Sequence, residues 1–134
     1  KSDTPFKLAE LAAAAGATYS ARWSTVQMEN LVLSIKDGLK NDGFSFIEVA
    51  TQCPTYYGRK NKLRTPTAMA AVMKANSVFK SAADRMSAKE LEGKIVVGEF
   101  ANIQKDEFTN NLERISVEKS GKKTLINSAY STEL

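Results

Sequence analysis

The stretch FSFIEVATQCPTYYGRKN, residues 44–61, decides how this chain is interpreted. Its first half is rich in Phe, Ile and Val, and apolar side chains fall on both faces as far as Val49. That pattern predicts a strand covered on two sides. It ends after Thr51, and Pro54 then removes a backbone donor and favours an extended Cys53. Ligands of open α/β sheets bind beyond the carboxyl ends of strands, so the one cysteine of the chain stands where such a fold carries its chemistry.

The composition is that of a soluble domain, or a large piece of one. The chain has 134 residues, 43% hydrophobic and 25% charged. No apolar run reaches the roughly 20 residues of a membrane helix, so we expect no membrane span. One cysteine excludes an internal disulfide and favours a reducing, cytoplasmic location. Because the chain starts at Lys1 and not at Met, we interpret it as a processed product, a trimmed piece or a proteolytic fragment.

Several classes of chemistry are excluded by what the sequence lacks. With no histidine, it has no Ser-His-Asp triad, no Cys-His nucleophile pair and no zinc site with imidazole ligands. No GxGxxG or P-loop motif occurs. The net charge is +4, but the cations are dispersed except at residues 59–64 and 119–123. We read them as solvated surface charge and expect no nucleic-acid binding.

Helical and extended patterns alternate along the chain, with short connections. The predicted elements are a helix over 4–15, a strand over 17–22, a helix from 24 ended by 42–43, the strand from 44, a helix from 66, a strand over 94–100, and a hairpin of 113–119 with 122–127. This order predicts an α/β fold with a mostly parallel sheet flanked by helices and a C-terminal hairpin-like extension. The caps are local: Asp3 or Thr4 for the first helix, Ser24 with Gln27 for the second, and Thr65 for the third.

Apolar periodicity predicts which helix faces are buried. In the second helix one face is predicted from Met28, Leu31, Val32, Ile35 and Leu39. In the third helix a stripe runs through Met69, Val72, Met73, Asn76 and Phe79, and it is interpreted as core, with a partner contact as the alternative. Glu48 is read as a paired or partly exposed carboxylate, with a catalytic role as the alternative.

Four segments together resemble one protein family. They are residues 13–19 (AAAGATY), 43–49 (GFSFIEV) and 52–61 (QCPTYYGRKN), followed by Thr65-Pro66. They resemble the beta subunit of the 2-oxoacid:acceptor (ferredoxin) oxidoreductases, most closely the 2-oxoglutarate enzymes. The resemblance covers about residues 4–101, and the Cys-Pro-Thr loop is its most specific part.

The resemblance implies a fold and an activity. Such enzymes decarboxylate a 2-oxoacid on thiamine diphosphate, pass electrons through an iron–sulfur cluster to ferredoxin or another acceptor, and release an acyl-CoA, here succinyl-CoA. Residues 1–53 would be the end of the thiamine-diphosphate-binding domain, and 54–134 a C-terminal extension of the beta subunit. The Gly-Asp-Gly-Asp motif for Mg²⁺ and three cluster cysteines of the family are absent here, which implies the C-terminal half of the subunit. The alpha subunit is the implied partner, with gamma and delta subunits as further candidates.

The implied site lies in the Cys53 loop. The family's fourth ligand to its [4Fe–4S] cluster matches Cys53, although residue chemistry alone favours a buried structural thiol there. Thr55, Tyr56, Arg59 and Asn61 are candidate cofactor-binding residues, with loop structure and subunit contact as the equal alternative. No catalytic step is assigned to any residue. One cysteine does not hold a cluster, so the chain alone is expected to be inactive.

Two other functions stay open at this point. One is the same chemistry acting on pyruvate or another 2-oxoacid. The other is a non-catalytic interaction or nucleic-acid module with an incidental thiol, which a salt-dependent shift on binding nucleic acid would favour.

Overall fold

The computed structural model describes residues 6–63 and 65–120. It divides into two compact units, Lys1–Gln104 and Lys105–Leu134, which are described separately. The resemblance implied a domain boundary between residues 53 and 54, and this boundary remains a prediction about the whole subunit. None of the helices in the described residues is long and apolar enough to cross a membrane.

The first unit is built on a four-stranded mixed sheet. Its strands are β1 (Tyr19–Ser24), β2 (Ser45–Ala50), β3 (Ser77–Phe79) and β4 (Ile95–Asn102). They lie in the order β2-β1-β4-β3. The pairs β1/β2 and β3/β4 are parallel, whereas β1/β4 is antiparallel, with a register shift between Ser20 and Ala21. The α/β class is confirmed, with one antiparallel join inside the expected mostly parallel sheet.

Helices connect and flank these strands. They are α1 (Leu8–Ala14), α2 (Met28–Lys40), α3 (Pro66–Asn76), α4 (Lys80–Ala83) and, in the second unit, α5 (Phe108–Ser120). A π-helical turn over Pro54–Gly58, called the π turn below, follows β2. Thr65 caps α3 as predicted, since its hydroxyl oxygen accepts from Ala68 N at 3.1 Å. Gly16 ends α1 with φ of 99°, a left-handed conformation that suits glycine.

The core of the first unit lies between β1, α2 and β4. Its buried members are Tyr19, Ala21, Trp23, Leu31 and Val97, with Ile47 and Ile95 packed against them. On the other face of β1, Arg22 is buried between two carboxylates. Its Nη2 lies 2.7 Å from Glu10 Oε2, and its Nε lies 2.8 Å from Glu48 Oε2. Glu48 also accepts from Ala9 N at 3.2 Å, which confirms its interpretation as a paired carboxylate.

Predictions that depended on distant packing were partly wrong. In α2 only Leu31 of the predicted face is buried, while Ser34 is buried against Tyr19. The helix begins at Met28 and not at Ser24, because Ser24 is the last residue of β1. The Gln27 side chain folds back and its Oε1 accepts hydrogen bonds from the amide and the hydroxyl of Ser24. In α1 the buried residue is Ala9, whereas the larger apolar residues Leu8 and Leu11 are exposed.

Two further expectations are corrected. β2 is half-buried, so its two faces are not both covered within the described residues. It also lies at the edge of the sheet, with β1 as its one neighbour among the described strands. The first arm of the predicted hairpin is wrong, because residues 113–119 lie within α5. Phe108, Leu112 and Ile115 recur at helical spacing, and this pattern outweighs the short alternation of Ile115 and Val117. The second arm lies outside the described residues, as do the proposed caps Asp3 and Thr4.

Candidate functional site: the Cys53 loop

The Cys53 loop begins where β2 ends, at the carboxyl end of a parallel pair of strands. The connection is held to the end of β1, because Thr25 N donates to Ala50 O at 3.0 Å. The Thr25 hydroxyl also lies 2.9 Å from Gln52 Oε1 and donates to it. Cys53 itself has an extended backbone, with φ of −123° and ψ of 90°, as expected before proline.

The π turn closes on Cys53 by its backbone. Gly58 N donates to Cys53 O at 3.0 Å, and Leu63 N donates to Gly58 O at 2.8 Å. Gly58 is buried, and a Cβ atom there would lie 2.7 Å from Leu63 O and 3.0 Å from Met69 Sδ. No side chain fits at those distances, so glycine is needed for this close approach. Such π turns are rare and are frequent at functional sites.

The thiol of Cys53 is exposed and its ionised form is favoured. Hydrogen bonding from the amide of Tyr57, then from that of Tyr56 and from the Thr55 hydroxyl, lowers the pKa of the Cys53 thiol, and the Thr55 amide adds to this. These amides precede the first bonded amide of the turn, that of Gly58, so they have no carbonyl partner within it. Residue chemistry alone predicted a buried structural thiol, and that expectation is wrong.

The other candidate residues differ in what they contact, and of their side chains the Thr55 hydroxyl is the one with a hydrogen-bond contact to the thiol. Thr55 Oγ1 lies 3.7 Å from Cys53 Sγ. Lys60 Nζ lies 4.5 Å from the centre of the Tyr56 ring and donates to the Tyr56 hydroxyl at 2.9 Å. Asn61 Nδ2 donates to Tyr57 O at 2.8 Å, which suits the loop-structure alternative. Arg59 is exposed. Whether these residues bind a cofactor stays a prediction.

A cavity of about 340 Å³ lies behind the loop. Its lining is mainly apolar and includes Tyr57, Leu63, Met69 and Met73, with Gln52 at the strand end. Sequence reasoning had placed Met69 and Met73 on one stripe but had not connected them with the Cys53 loop. The residue of the site that the sequence did not indicate as important is Gly58. The available signal was its position, as a single glycine directly after the aromatic pair Tyr56-Tyr57.

The donor set around Cys53 provides one metal ligand. Among residues 6–63 and 65–120 there is no group of three or more His, Cys, Asp or Glu side chains arranged to hold a metal. An exposed thiol whose pKa is lowered by nearby amides suits one coordination position of an iron–sulfur cluster, where hydrogen bonds to sulfur tune the cluster. The remaining ligands would come from outside the described residues.

Sequence comparison relates this chain to one set of proteins. The 2-oxoglutarate synthase subunit KorB of Methanothermobacter marburgensis is 49% identical over 128 residues, which are 96% of this chain and 45% of that subunit. This chain is a relative of the KorB subunits. KorB of Methanocaldococcus jannaschii is 53% identical over 81% of this chain and 40% of its own length. KorB of Archaeoglobus fulgidus is 32% identical over 84% of this chain and 39% of its own length.

The match to KorB confirms the resemblance expected from the Cys53 loop. The chain spans a little under half the length of the KorB subunits that it matches. These relatives are named as subunits of an enzyme, 2-oxoglutarate synthase. No protein-family model matches the chain. No solved structure matches it either.

Proposed function

We propose that this chain is part of the beta subunit of a 2-oxoacid:acceptor oxidoreductase that converts 2-oxoglutarate to succinyl-CoA. The support comes from the KorB relatives, two of which are 49% and 52% identical to this chain over 96% of its length, together with the geometry of the Cys53 loop. The partners would be the alpha subunit and, where present, gamma and delta subunits. Electrons would pass to ferredoxin or another acceptor, in a cytoplasmic enzyme that also uses CoA.

Cys53 is the residue of this chain that would hold a cofactor. Its thiolate would be one of the four ligands of a [4Fe–4S] cluster, which supplies one-electron transfer when bound. The amides of Thr55, Tyr56 and Tyr57 would keep negative charge on the sulfur, and the Thr55 hydroxyl would hold it in place. Exposure of the thiol favours this role, because ligands from elsewhere must reach the same cluster.

The thiamine diphosphate and its Mg²⁺ would be bound mainly outside this chain. Its sequence contains no Gly-Asp-Gly-Asp motif. Thr55, Tyr56, Arg59 and Asn61 remain candidates for lining the cofactor cavity or binding an anionic group of CoA or the substrate. Of these, Arg59 is an exposed cation with a donor fork suited to a carboxylate or phosphate.

The test uses the intact gene product purified without oxygen together with its partner subunits. Cys53→Ser removes one thiolate and should reduce the iron content by about four atoms per subunit. The matching electron paramagnetic resonance signal and the 2-oxoglutarate-dependent reduction of a dye acceptor should be lost with it. Thr67→Ser, an exposed position on α3, is the matched control and should change none of these quantities. Unchanged iron and activity in Cys53→Ser would refute the proposed role, and a panel of 2-oxoacids on the wild-type complex would test the choice of 2-oxoglutarate over pyruvate.

A further inference from the structure

Helix α2 carries a continuous apolar stripe that stays largely exposed among the described residues of the first unit. It consists of Met28, Val32, Ile35 and Leu39 and is called the α2 stripe. The exposed fractions are 54% for Met28, 42% for Val32, 41% for Ile35 and 82% for Leu39. Single exposed apolar residues are ordinary, but four in a row along three turns of one helix mark a contact surface.

The α2 stripe is separate from the face that attaches α2 to the sheet. That face consists of Leu31, Ser34 and Gly38. The Ser34 hydroxyl lies 2.7 Å from the Tyr19 hydroxyl, and a Cβ atom on Gly38 would lie 3.1 Å from Ile47 Cδ1. At 100° per residue, the stripe lies roughly a quarter turn around the helix from this face. A helix that packs on the sheet with one face and carries an apolar row on the adjacent face is one that packs on two sides.

The spacing of the stripe indicates what covers it. Steps of four, three and four residues place side chains in one row about 16 Å long, which is the row that a neighbouring helix packs against. The far side of α2 carries Glu29, Lys36 and Lys40, which suits solvent. The covering element is therefore limited to one flank of α2, as one packed helix would be.

We infer that the α2 stripe packs against an amphipathic helix of the same subunit, in the part that corresponds to the KorB sequence outside the matched region. More than half of each KorB relative lies outside this match, which leaves ample chain to supply that helix. Strand β2, beside α2, supports the same conclusion. It carries the apolar residues Phe46, Ile47 and Val49 and belongs to a parallel pair, yet it has one described neighbour, whereas such strands are normally interior. The inference rests on the relation to KorB and not on the proposed cluster chemistry.

The test compares two substitutions on one helix. Ile35→Glu places a charge in the stripe, and Leu33→Glu places the same charge at an apolar residue that is 57% exposed and lies off the stripe. In the intact gene product, Ile35→Glu should lower the unfolding midpoint by roughly 5 °C or more, while Leu33→Glu should shift it by less than about 2 °C. In a chain limited to residues 1–134, both should leave the midpoint within about 2 °C of the parent, because both positions are exposed there.

A milder variant keeps the test valid if Ile35→Glu prevents folding. Ile35→Ala should lower the midpoint in the intact product and have almost no effect in the 134-residue chain. Equal effects of Ile35→Glu and Leu33→Glu in the intact product would overturn the inference. So would a 134-residue dimer that Ile35→Glu dissociates, since the occupant would then be a second copy. If Ile35→Glu releases the alpha subunit but leaves the unfolding midpoint of the variant subunit unchanged, the stripe belongs to the alpha-subunit contact and the inference is wrong. An intact product no longer than 134 residues would also overturn the inference.

Discussion

Replacing Gly58 by alanine should both destabilise the chain and change the chemistry of Cys53. The added Cβ would lie 2.7 Å from Leu63 O and 3.0 Å from Met69 Sδ. Methionine moves readily, but the carbonyl cannot, because Leu63 N also holds the turn through Gly58 O at 2.8 Å. Overpacking of this kind costs about 2 kcal/mol. For a unit of this size that corresponds to a fall of about 10 °C in the unfolding midpoint.

The same displacement should raise the pKa of the Cys53 thiol. The pKa is lowered by the amides of Tyr57 and Tyr56 and by Thr55, all within the turn that Gly58 closes on Cys53 O at 3.0 Å. Opening the turn moves these donors from the sulfur, so the pKa should return toward the ordinary value of a cysteine. The rate of iodoacetamide alkylation between about pH 5 and 10 measures this directly, and the single cysteine makes the assay specific.

Gly93→Ala is the matched control for this prediction. Gly93 has φ of 74° and no neighbouring atom within 4 Å of a built Cβ, so alanine there costs about 1 kcal/mol of backbone strain without crowding. It should lower the midpoint without moving the alkylation curve. The reasoning is refuted if Gly58→Ala loses stability but keeps the wild-type thiol pKa, or if both glycine variants shift the pKa equally.

Three further outcomes are expected from the remaining contacts. Arg22→Met removes the buried cation that pairs with the carboxylates of Glu10 and Glu48 and should cost about 3 kcal/mol in urea unfolding, since removal of one member of a buried ion pair is strongly destabilising. Burial raises the pKa of Tyr19, so the neutral side chain contributes to the stability of the folded state. This contribution should be lost as the pH rises above about 10. Tyr19→Phe should remove that alkaline dependence while costing about 1 kcal/mol at neutral pH for the hydrogen bond to Ser34, as pH-dependent urea titrations would measure. Thr65→Ala should lower stability by about 1 kcal/mol through loss of the α3 cap, whereas Thr65→Ser should not.

Features that depend on neighbouring residues could be predicted from the sequence. Thr65 followed by Pro66 begins α3 as predicted, and Gly16 adopts the left-handed conformation that ends α1. A third local contact joins Ser87 and Glu90, since the amide and hydroxyl of Ser87 both donate to the Glu90 carboxylate, at 2.8 and 2.7 Å. In each case the partner atoms lie within four residues, so the local sequence contains all the information that the structure uses.

Features that depend on distant residues could not be predicted in the same way. The apolar residues of α2 were assigned to one face, but Ser34 takes the buried position there through its hydrogen bond with Tyr19, fifteen residues earlier. The direction of β4 relative to β1 leaves no trace in the composition of either strand. The helix α5 was taken for a strand, since a short alternation was weighed above the helical recurrence that begins at Phe108.

The candidate site was predicted in part. Cys53 and its position after β2 follow from the residues, whereas a role as cluster ligand followed only from the family resemblance. The lowering of the Cys53 pKa could not be predicted from the sequence, because backbone amides cause it and every residue except proline supplies an amide. What sequence contributes is the spacing that lets the turn close, above all Gly58 five residues after Cys53.

The exposed thiol and the exposed α2 stripe are best understood together. An apolar row is stabilised when it is removed from water, and a cluster-binding thiol must be reached by ligands from elsewhere. Within the first unit the Arg22 ion pairs form and Tyr19 is hydrogen-bonded to Ser34, whereas Trp23 Nε1 is a buried donor with no hydrogen-bond partner among the described residues. The exposed thiol and the α2 stripe lie where the two proposals place further chain: a helix on the α2 stripe, and three more thiolates around the cluster of Cys53. Cys53→Ser and Ile35→Glu act on these two requirements separately, so loss of the cluster with normal stability, and loss of stability with an intact cluster, are the paired results that this account demands.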